Sequence, residues 1–286
     1  MELGVVFPQS EIGNDPAAIR DFAQTAEGLG FTHLLIYDHV LGADRDRPGG
    51  FQGPYDKDTP FHEVFVTLGF LAACTTTIEL ATAVLILPQR QTALVAKQAA
   101  EVDLLSGGRM RLGVGVGWNA VEYVGLNQDF ATRGRRQEEQ VTLLRALWAN
   151  DTIDFTGKWD RVEKAGINPR PSRQIPIWFG GGAPALVKRI AKYGDGWFPL
   201  MGPGDDAAAT IAAIRAAMTA EGRDPATLGI QAQAQARGGS PERWRKNADQ
   251  WRVLGATHLA IATMNAGLTS PADHIAAIRQ YRESVS

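Results

Sequence analysis

The sequence predicts an α/β protein, a (β/α)8 TIM barrel with two long insertions. Three observations lead there. Eight short apolar runs alternate with eight longer segments whose apolar residues recur at helical spacing. Each helical segment is long enough to carry the chain back across a sheet, which makes its flanking strands parallel, and eight such units close into a cylinder. The chain has 286 residues, and a barrel of this kind commonly takes about 250 as one unit. No Gly/Ser linker or low-complexity tract breaks the alternation, so residues 1–286 are expected to form one domain. A doubly wound open sheet is the alternative.

In order, LGVVF (3–7) is the first strand, followed by a helix over 16–29 with Asn14 or Asp15 as cap, Pro16 in its first turn and Gly30 closing it. HLLIY (33–37) is the second strand, leading through a long loop, 40–61, to a helix over 62–75. IELATAVLIL (78–87) and RMRLGVGVG (109–117) are the third and fourth, followed by helices over 91–106 and 134–149. Residues 150–174 form the second long connection, whose TIDFTGKWDRV segment has hairpin character. IPIWFG (175–180), DGWFPL (195–200), LGIQAQAQ (228–235) and THLAIAT (257–263) then alternate with helices over 183–193, 206–221, 241–254 and 271–284, the last opened by Ser270-Pro271. Long loops on a barrel are usually lids or site walls.

Twenty-nine basic against 31 acidic residues leave a formal net charge of −2, too weak a field to gather nucleic acid or an anionic membrane. Small molecules are the expected partners. A content of 44% hydrophobic and 21% charged residues is that of a globular protein with ample core. The single cysteine, Cys74, excludes an internal disulfide and a cysteine-rich zinc cluster and fits a reducing, cytoplasmic setting. The amino terminus MELGVVFPQS has no basic leader, and no segment reaches the ~18 uninterrupted apolar residues of a membrane span, so neither export nor membrane insertion is expected.

Active sites of such barrels sit at the carboxyl ends of the strands. There the second strand gives way to Asp38 and His39, residues that avoid a dry interior. His39 is the one histidine of five at a strand exit: His33 and His258 fall at strand starts, the end associated with stability, while His62 and His274 fall on helices as surface or capping groups. With an unperturbed pKa of about 6.5, a histidine at the mouth can pass a proton either way near neutrality, with Asp38 orienting it or binding a ligand. No pair has the spacing of a metal site, so no metal is expected. GGGAP (180–184) ahead of a helix offers backbone N–H groups to a phosphate, or is simply a tight turn. The alternating glycines of GVGVGWN (113–119) either admit a flat ligand or serve close packing inside the barrel. ATRGRRQEEQ (131–140) reads as solvated surface with Arg135 and Glu139 as an i, i+4 pair, or as a grip on an anionic cofactor tail. Glu122 is either an acidic group of the mouth or a helix-start carboxylate. Trp118, Phe179, Trp197, Pro199 and Met201 are candidates for an apolar pocket wall.

Three stretches carry a resemblance over essentially the whole chain: DH closing strand two, AKQAAEVDLLSGGRMRLGVGVGWNAVEY, and IPIWFGGGAPALVKRIAKYGDGWFPL. Together they resemble the bacterial luciferase-like superfamily of flavin and deazaflavin oxidoreductases, and most closely its actinobacterial branch that uses coenzyme F420, an 8-hydroxy-5-deazaflavin with a lactyl phosphate and a polyglutamate tail. The resemblance implies a flavin-like ring at the barrel mouth, His39 as acid or base beside the hydride-carrying carbon, and Asp38 helping to bind the ring. It also implies a non-proline cis peptide between Ala83 and Val84 under the ring. Gly115, Asn119 and a phosphate loop of Gly180, Gly181 and Gly182 complete the implied cofactor set, with Trp118, Glu122, Trp197 and Met201 left for the substrate pocket. Some sugar-phosphate dehydrogenases of this branch carry an acidic residue where Val116 stands and a tryptophan shortly after the strand-two histidine. This chain has neither, so no sugar phosphate is inferred. The implied activity is hydride transfer between F420 and a small organic substrate. The alternative is an FMN-dependent monooxygenase using reduced flavin and O2, served by a separate reductase. A homodimer is implied in either case.

Overall fold

The computed structural model describes residues 1–285, which close into the expected cylinder. Its first staves are β1 (Glu2–Val6), β2 (His33–Ile36), β3 (Glu79–Thr82) with its continuation β4 (Leu85–Ile86), and β5 (Met110–Gly115). After β5 an antiparallel hairpin, β6 (Ile153–Thr156) and β7 (Arg161–Ala165), fills the second long connection as its sequence suggested. β8 (Ile177–Gly180), β9 (Gly196–Phe198), β10 (Gly229–Gln235) and β11 (His258–Ala262) complete the wall. Every pairing in it is parallel, β1 joins β11, and Leu80 of β3 pairs with Met110 of β5, closing the circle.

The helices are α1 (Pro16–Gly28), α2 (Val64–Cys74), α3 (Thr92–Leu105), α4 (Ala120–Gly125), α5 (Arg133–Ala149), α6 (Pro184–Tyr193), α7 (Asp205–Ala220), α8 (Pro241–Val253) and α9 (Pro271–Val285). Asp15 caps α1, its side chain accepting from the Ala17 N–H at 2.9 Å, and Gly30 takes the left-handed turn beyond it at φ +77°. α4 departs from the sequence reading, which had no helix there. It is short, and Asn119 starts it by accepting from the Val121 N–H at 3.1 Å.

Because the strands are covered on both faces, they read as continuous apolar runs, and the period of two decides which residue faces where. Leu3, Val5, Leu34, Leu80, Leu112, Phe179, Trp197 and Leu259 point outward into the layer shared with the helices. Val6, Leu35, Ala81, Trp178, Phe198, Ala260, Ala262 and Met264 fill the interior. The third apolar run is interrupted where the Ala83–Val84 peptide is cis, the bond the family resemblance implied.

Two polar readings are corrected. His274 is fully buried, with Nδ1 2.8 Å from Thr263 Oγ1 and Nε2 3.4 Å from Glu11 Oε2, tying α9 to the loops after β1 and β11. It is not a surface group. Glu139 does not pair with Arg135. Its carboxylate accepts from the N–H groups of Lys158, Trp159 and Asp160 and so caps the hairpin turn. Among the described residues no helix is long and apolar enough to cross a membrane.

Candidate active site

A cavity of about 420 Å³ opens at the carboxyl ends of β2, β4, β5, β8, β9 and β10. Its first wall comes from the way β2 ends. Gln9, from the loop after β1, takes both backbone groups of Tyr37, accepting from its N–H at 2.8 Å and donating to its carbonyl at 2.9 Å. Pairing stops, and the next two side chains separate.

Asp38 swings away from His39. Its carboxylate accepts from Arg90 Nη2 at 2.6 Å and from the Ile86 N–H at 2.9 Å, locking the turn after Val84. Burial pushes the Asp38 carboxyl above its ordinary value, against the pull of Arg90 and the Ile86 N–H. Asp38 lines the cavity but does not orient the histidine.

Glu122, from the first turn of α4, does that instead. Its Oε2 lies 3.2 Å from His39 Nδ1, and the two side chains are 2% and 7% exposed. Glu122 also accepts from the Val40 N–H, from the Leu41 N–H at 3.1 Å and from Gln89 Nε2 at 3.1 Å. Burial alone would raise this carboxyl; the His39 bond and the two backbone N–H groups outweigh it and hold Glu122 below its usual value. An ionised Glu122 only accepts, so the proton of a neutral His39 sits on Nδ1 and Nε2 carries the lone pair. Nε2 is buried and has no partner among the described residues. An orphaned acceptor costs roughly 1–3 kcal/mol, and of the buried histidine nitrogens without a hydrogen bond among the described residues, those of His33, His39 and His274, only that of His39 belongs to a residue lining this cavity.

The long loop 40–61 forms a wall over this histidine. Phe61 meets the His39 ring edge-on at 5.1 Å, Tyr55 stands 6.0 Å away and packs on Phe61, and Trp118 stacks on His39 at 6.4 Å. Beneath, Val84 occupies the space that side chains at Gly115 and Gly180 would need: a Cβ there would come within 2.4 and 2.7 Å of its methyls. Gly113 likewise gives way to the Thr82 carbonyl and Phe198. The strand glycines therefore serve close packing, and Val84 rather than bare backbone lines the cavity there.

Of the expected phosphate loop, Gly180 and Gly181 line the cavity, whereas Gly182 borders a smaller neighbouring hollow of about 270 Å³. The Gly181 N–H donates to the Phe198 carbonyl at 3.2 Å, so the donors without an acceptor among the described residues are those of Gly182 and Ala183. Asn119 lines the cavity while spending its side chain on capping α4 and on the Leu41 carbonyl at 3.4 Å. Trp118 and Pro199 are wall residues. Trp197 and Phe179 are not, since both face outward, and Trp197 Nε1 donates to the Gly181 carbonyl at 2.9 Å, holding the loop from behind. Met201 also lies outside the cavity wall, its methyl 3.8 Å from where a Cβ of Gly182 would stand.

Sequence reasoning missed Arg90, Gln89, Tyr37 and Gln233. Arg90 and Gln89 stand in LPQR at the exit of the third apolar run, the one signal available for them. A larger hollow, about 880 Å³, lies before β8 at the amino end of the barrel, between Trp148 and Gln174. Its cations Arg170 and Arg173 are already paired, with Asp151 and Asp103. Among the described residues no group of three or more His, Cys, Asp or Glu could hold a metal.

Comparison with known proteins places the fold and the family. The chain is 30% identical over 255 residues to the F420-dependent hydroxymycolic acid dehydrogenase of Mycobacterium tuberculosis, covering 87% of this chain and 66% of that one. Its fold matches two solved structures over nearly their whole length. One is the monooxygenase RslO1 of Streptomyces bottropensis, with TM-score 0.82 and 19% identity, covering 100% of this chain and 98% of that chain. The other is an F420-dependent secondary alcohol dehydrogenase in complex with an F420-acetone adduct, with TM-score 0.81 and 18% identity, covering 100% and 99%. The family model described as luciferase-like monooxygenase matches residues 1–284, and the chain belongs to that family.

Proposed function

We propose that this protein is an oxidoreductase that moves a hydride between coenzyme F420 and a small organic substrate. The observation that carries the reading is His39, held at Nδ1 by a buried carboxylate and left with an unpartnered Nε2 in the wall of the barrel-mouth cavity. Similarity to a dehydrogenase named for F420 supports the choice of cofactor.

The residues present fit a flat, largely apolar ring with an anionic end. Val84 and the glycine-flanked strand ends offer a floor, Phe61 and Trp118 offer walls, and the N–H groups of Gly182 and Ala183 at the start of α6 are free for a phosphate. When bound, the deazaflavin supplies a ring carbon that accepts or returns a hydride. As the hydride leaves an alcohol carbon with its electron pair, His39 Nε2 takes the hydroxyl proton. In the reverse direction His39 donates that proton to the new alkoxide. Glu122 stabilises the imidazolium and keeps the ring in register, because its other acceptor positions are fixed by backbone N–H groups. Arg90 holds Asp38, and through it the Ile86 turn, so the floor keeps its shape.

The test is a titration of purified protein with F420 and with FMN, followed by turnover assays on loaded enzyme. Tight F420 binding and loss of turnover in His39→Ala with retained F420 affinity are expected. Tight FMN binding with no affinity for F420 would reject this reading in favour of a monooxygenase.

A further inference from the structure

The cavity contains a second prepared group, two residues before His39. Tyr37 is fixed at its backbone by both amide atoms of Gln9. Its hydroxyl is fixed too: Gln235 Nε2 donates to Gln233 Oε1 at 3.1 Å, and Gln233 Nε2 donates to the Tyr37 oxygen. The relay runs in one direction. Gln233 fills an acceptor position of the phenol oxygen, and the phenol proton has no acceptor among the described residues. Tyr37 and Gln233 both line the cavity. Burial, with Tyr55 adding to it and Gln233 opposing, pushes the phenol up to about 12, so it stays a donor throughout the neutral range.

Charge around the cavity restricts what that donor can meet. The ionisable side chains in the wall, apart from the tyrosines, are Asp38, His39 and Glu122; no lysine or arginine is among them. Arg90 stands behind Asp38 and is spent on it and on Glu63. Arg237 and Arg243, neither of them in an ion pair among the described residues, line a separate hollow on the far side of Leu200 and Gln233, and Arg243 donates to the Gly238 carbonyl at 2.7 Å. A carboxylate or phosphate inside the reaction cavity would thus face Asp38 and Glu122 with no lysine or arginine in the wall to receive it.

We propose that the Tyr37 hydroxyl donates a hydrogen bond to an oxygen of the substrate, and that the part of the substrate held in the cavity is uncharged, a ketone or alcohol with an apolar body. Gln233 and Gln235 are positioning residues for this donor. The inference rests on the deazaflavin reading of the site, and binding of F420 is therefore measured as its own arm. A donor fixed at both ends favours the oxygen as charge builds on it, since little reorganisation is left to do.

The test uses F420-loaded enzyme and acetophenone as an uncharged probe, with benzoate as its anionic counterpart. Isotope-edited infrared spectra of carbonyl-13C acetophenone report the hydrogen bond on the bound carbonyl. In the wild type the bound C=O band is expected below its position in Tyr37→Phe, which should bind acetophenone about tenfold more weakly while keeping wild-type F420 affinity. Gln233→Leu should move the band part of the way. An identical band in wild type and Tyr37→Phe overturns the proposal, as does benzoate binding in preference to acetophenone. Loss of F420 affinity in Tyr37→Phe would assign the hydroxyl to the cofactor and overturn it as well. A wild type that binds no F420 would instead remove the underlying reading.

Discussion

The two ends of the barrel interior each hold buried histidine, and they do opposite things with it. At the amino end His33 and His258 meet edge to face at 5.1 Å, with their Nδ1 atoms near the hydroxyls of Thr32 and Thr257. Beside them lies Arg111, 1% exposed, its guanidinium 4.2 Å from the Trp178 ring and bonded to Glu79 at 2.6 Å and Gln231 at 3.0 Å. Burial and the arginine charge hold His33 well below the ordinary histidine value and push His258 down to about 3. Both rings stay neutral and act as packing. At the carboxyl end the neighbour of His39 is a carboxylate, Glu122, with Oε2 3.2 Å from the ring Nδ1. Burial is the larger cause at the amino end, with the Arg111 charge added to it, and what differs at the carboxyl end is the sign of the neighbouring charge.

Variants at the two ends should separate in kind. The largest effect is expected of His39→Ala: turnover with F420 falls about 10²–10⁴-fold, with a thermal midpoint near wild type. Arg111→Met should do the reverse. It leaves Glu79 without its partner and costs about 3 kcal/mol of stability in denaturant titration, while turnover per folded molecule is preserved. Glu122→Gln lies between, lowering kcat about 10²-fold with a smaller change in KM, because the ring is still held but its cation is not. The smallest effect belongs to Glu27, outside the barrel interior at the end of α1, whose carboxylate accepts from the N–H groups of Thr76, Thr77 and Ile78 just ahead of β3. Burial opposes ionisation, but those bonds outweigh it and hold the group at about 2 instead of 4.5. A lowered carboxyl stabilises the fold above its unfolded value, and that contribution is lost as pH falls from about 4.5 towards 2. Glu27→Gln should cost about 1 kcal/mol at neutral pH, given solvent screening, and the difference from wild type should vanish in acid.

Much of this contrast was legible in the sequence. Eight alternations of strand and helix specified the barrel because each apolar run was bounded by turn residues, and a histidine at a strand exit can be told from one at a strand start by position alone. Facing within a strand was harder. Trp197 and Phe198 are adjacent and both apolar, so nothing local said that Phe198 fills the interior while Trp197 faces the helices. Partners distant in sequence were harder still. The bond between His39 and Glu122 spans a loop, two helices and three strands, and Asp38, the near neighbour, is the natural choice from sequence although Arg90 holds it. α4 went unread because six residues are too few for a periodic signal.

Nitrogen-15 NMR of histidine-labelled protein, recorded with and without F420, tests the central contrast most directly. His39 should carry its neutral-state proton on Nδ1, and its Nε2 resonance should move when F420 binds while those of His33 and His258 stay in place. A proton found on His39 Nε2, or a cofactor response confined to the histidines at the amino end, would contradict the account.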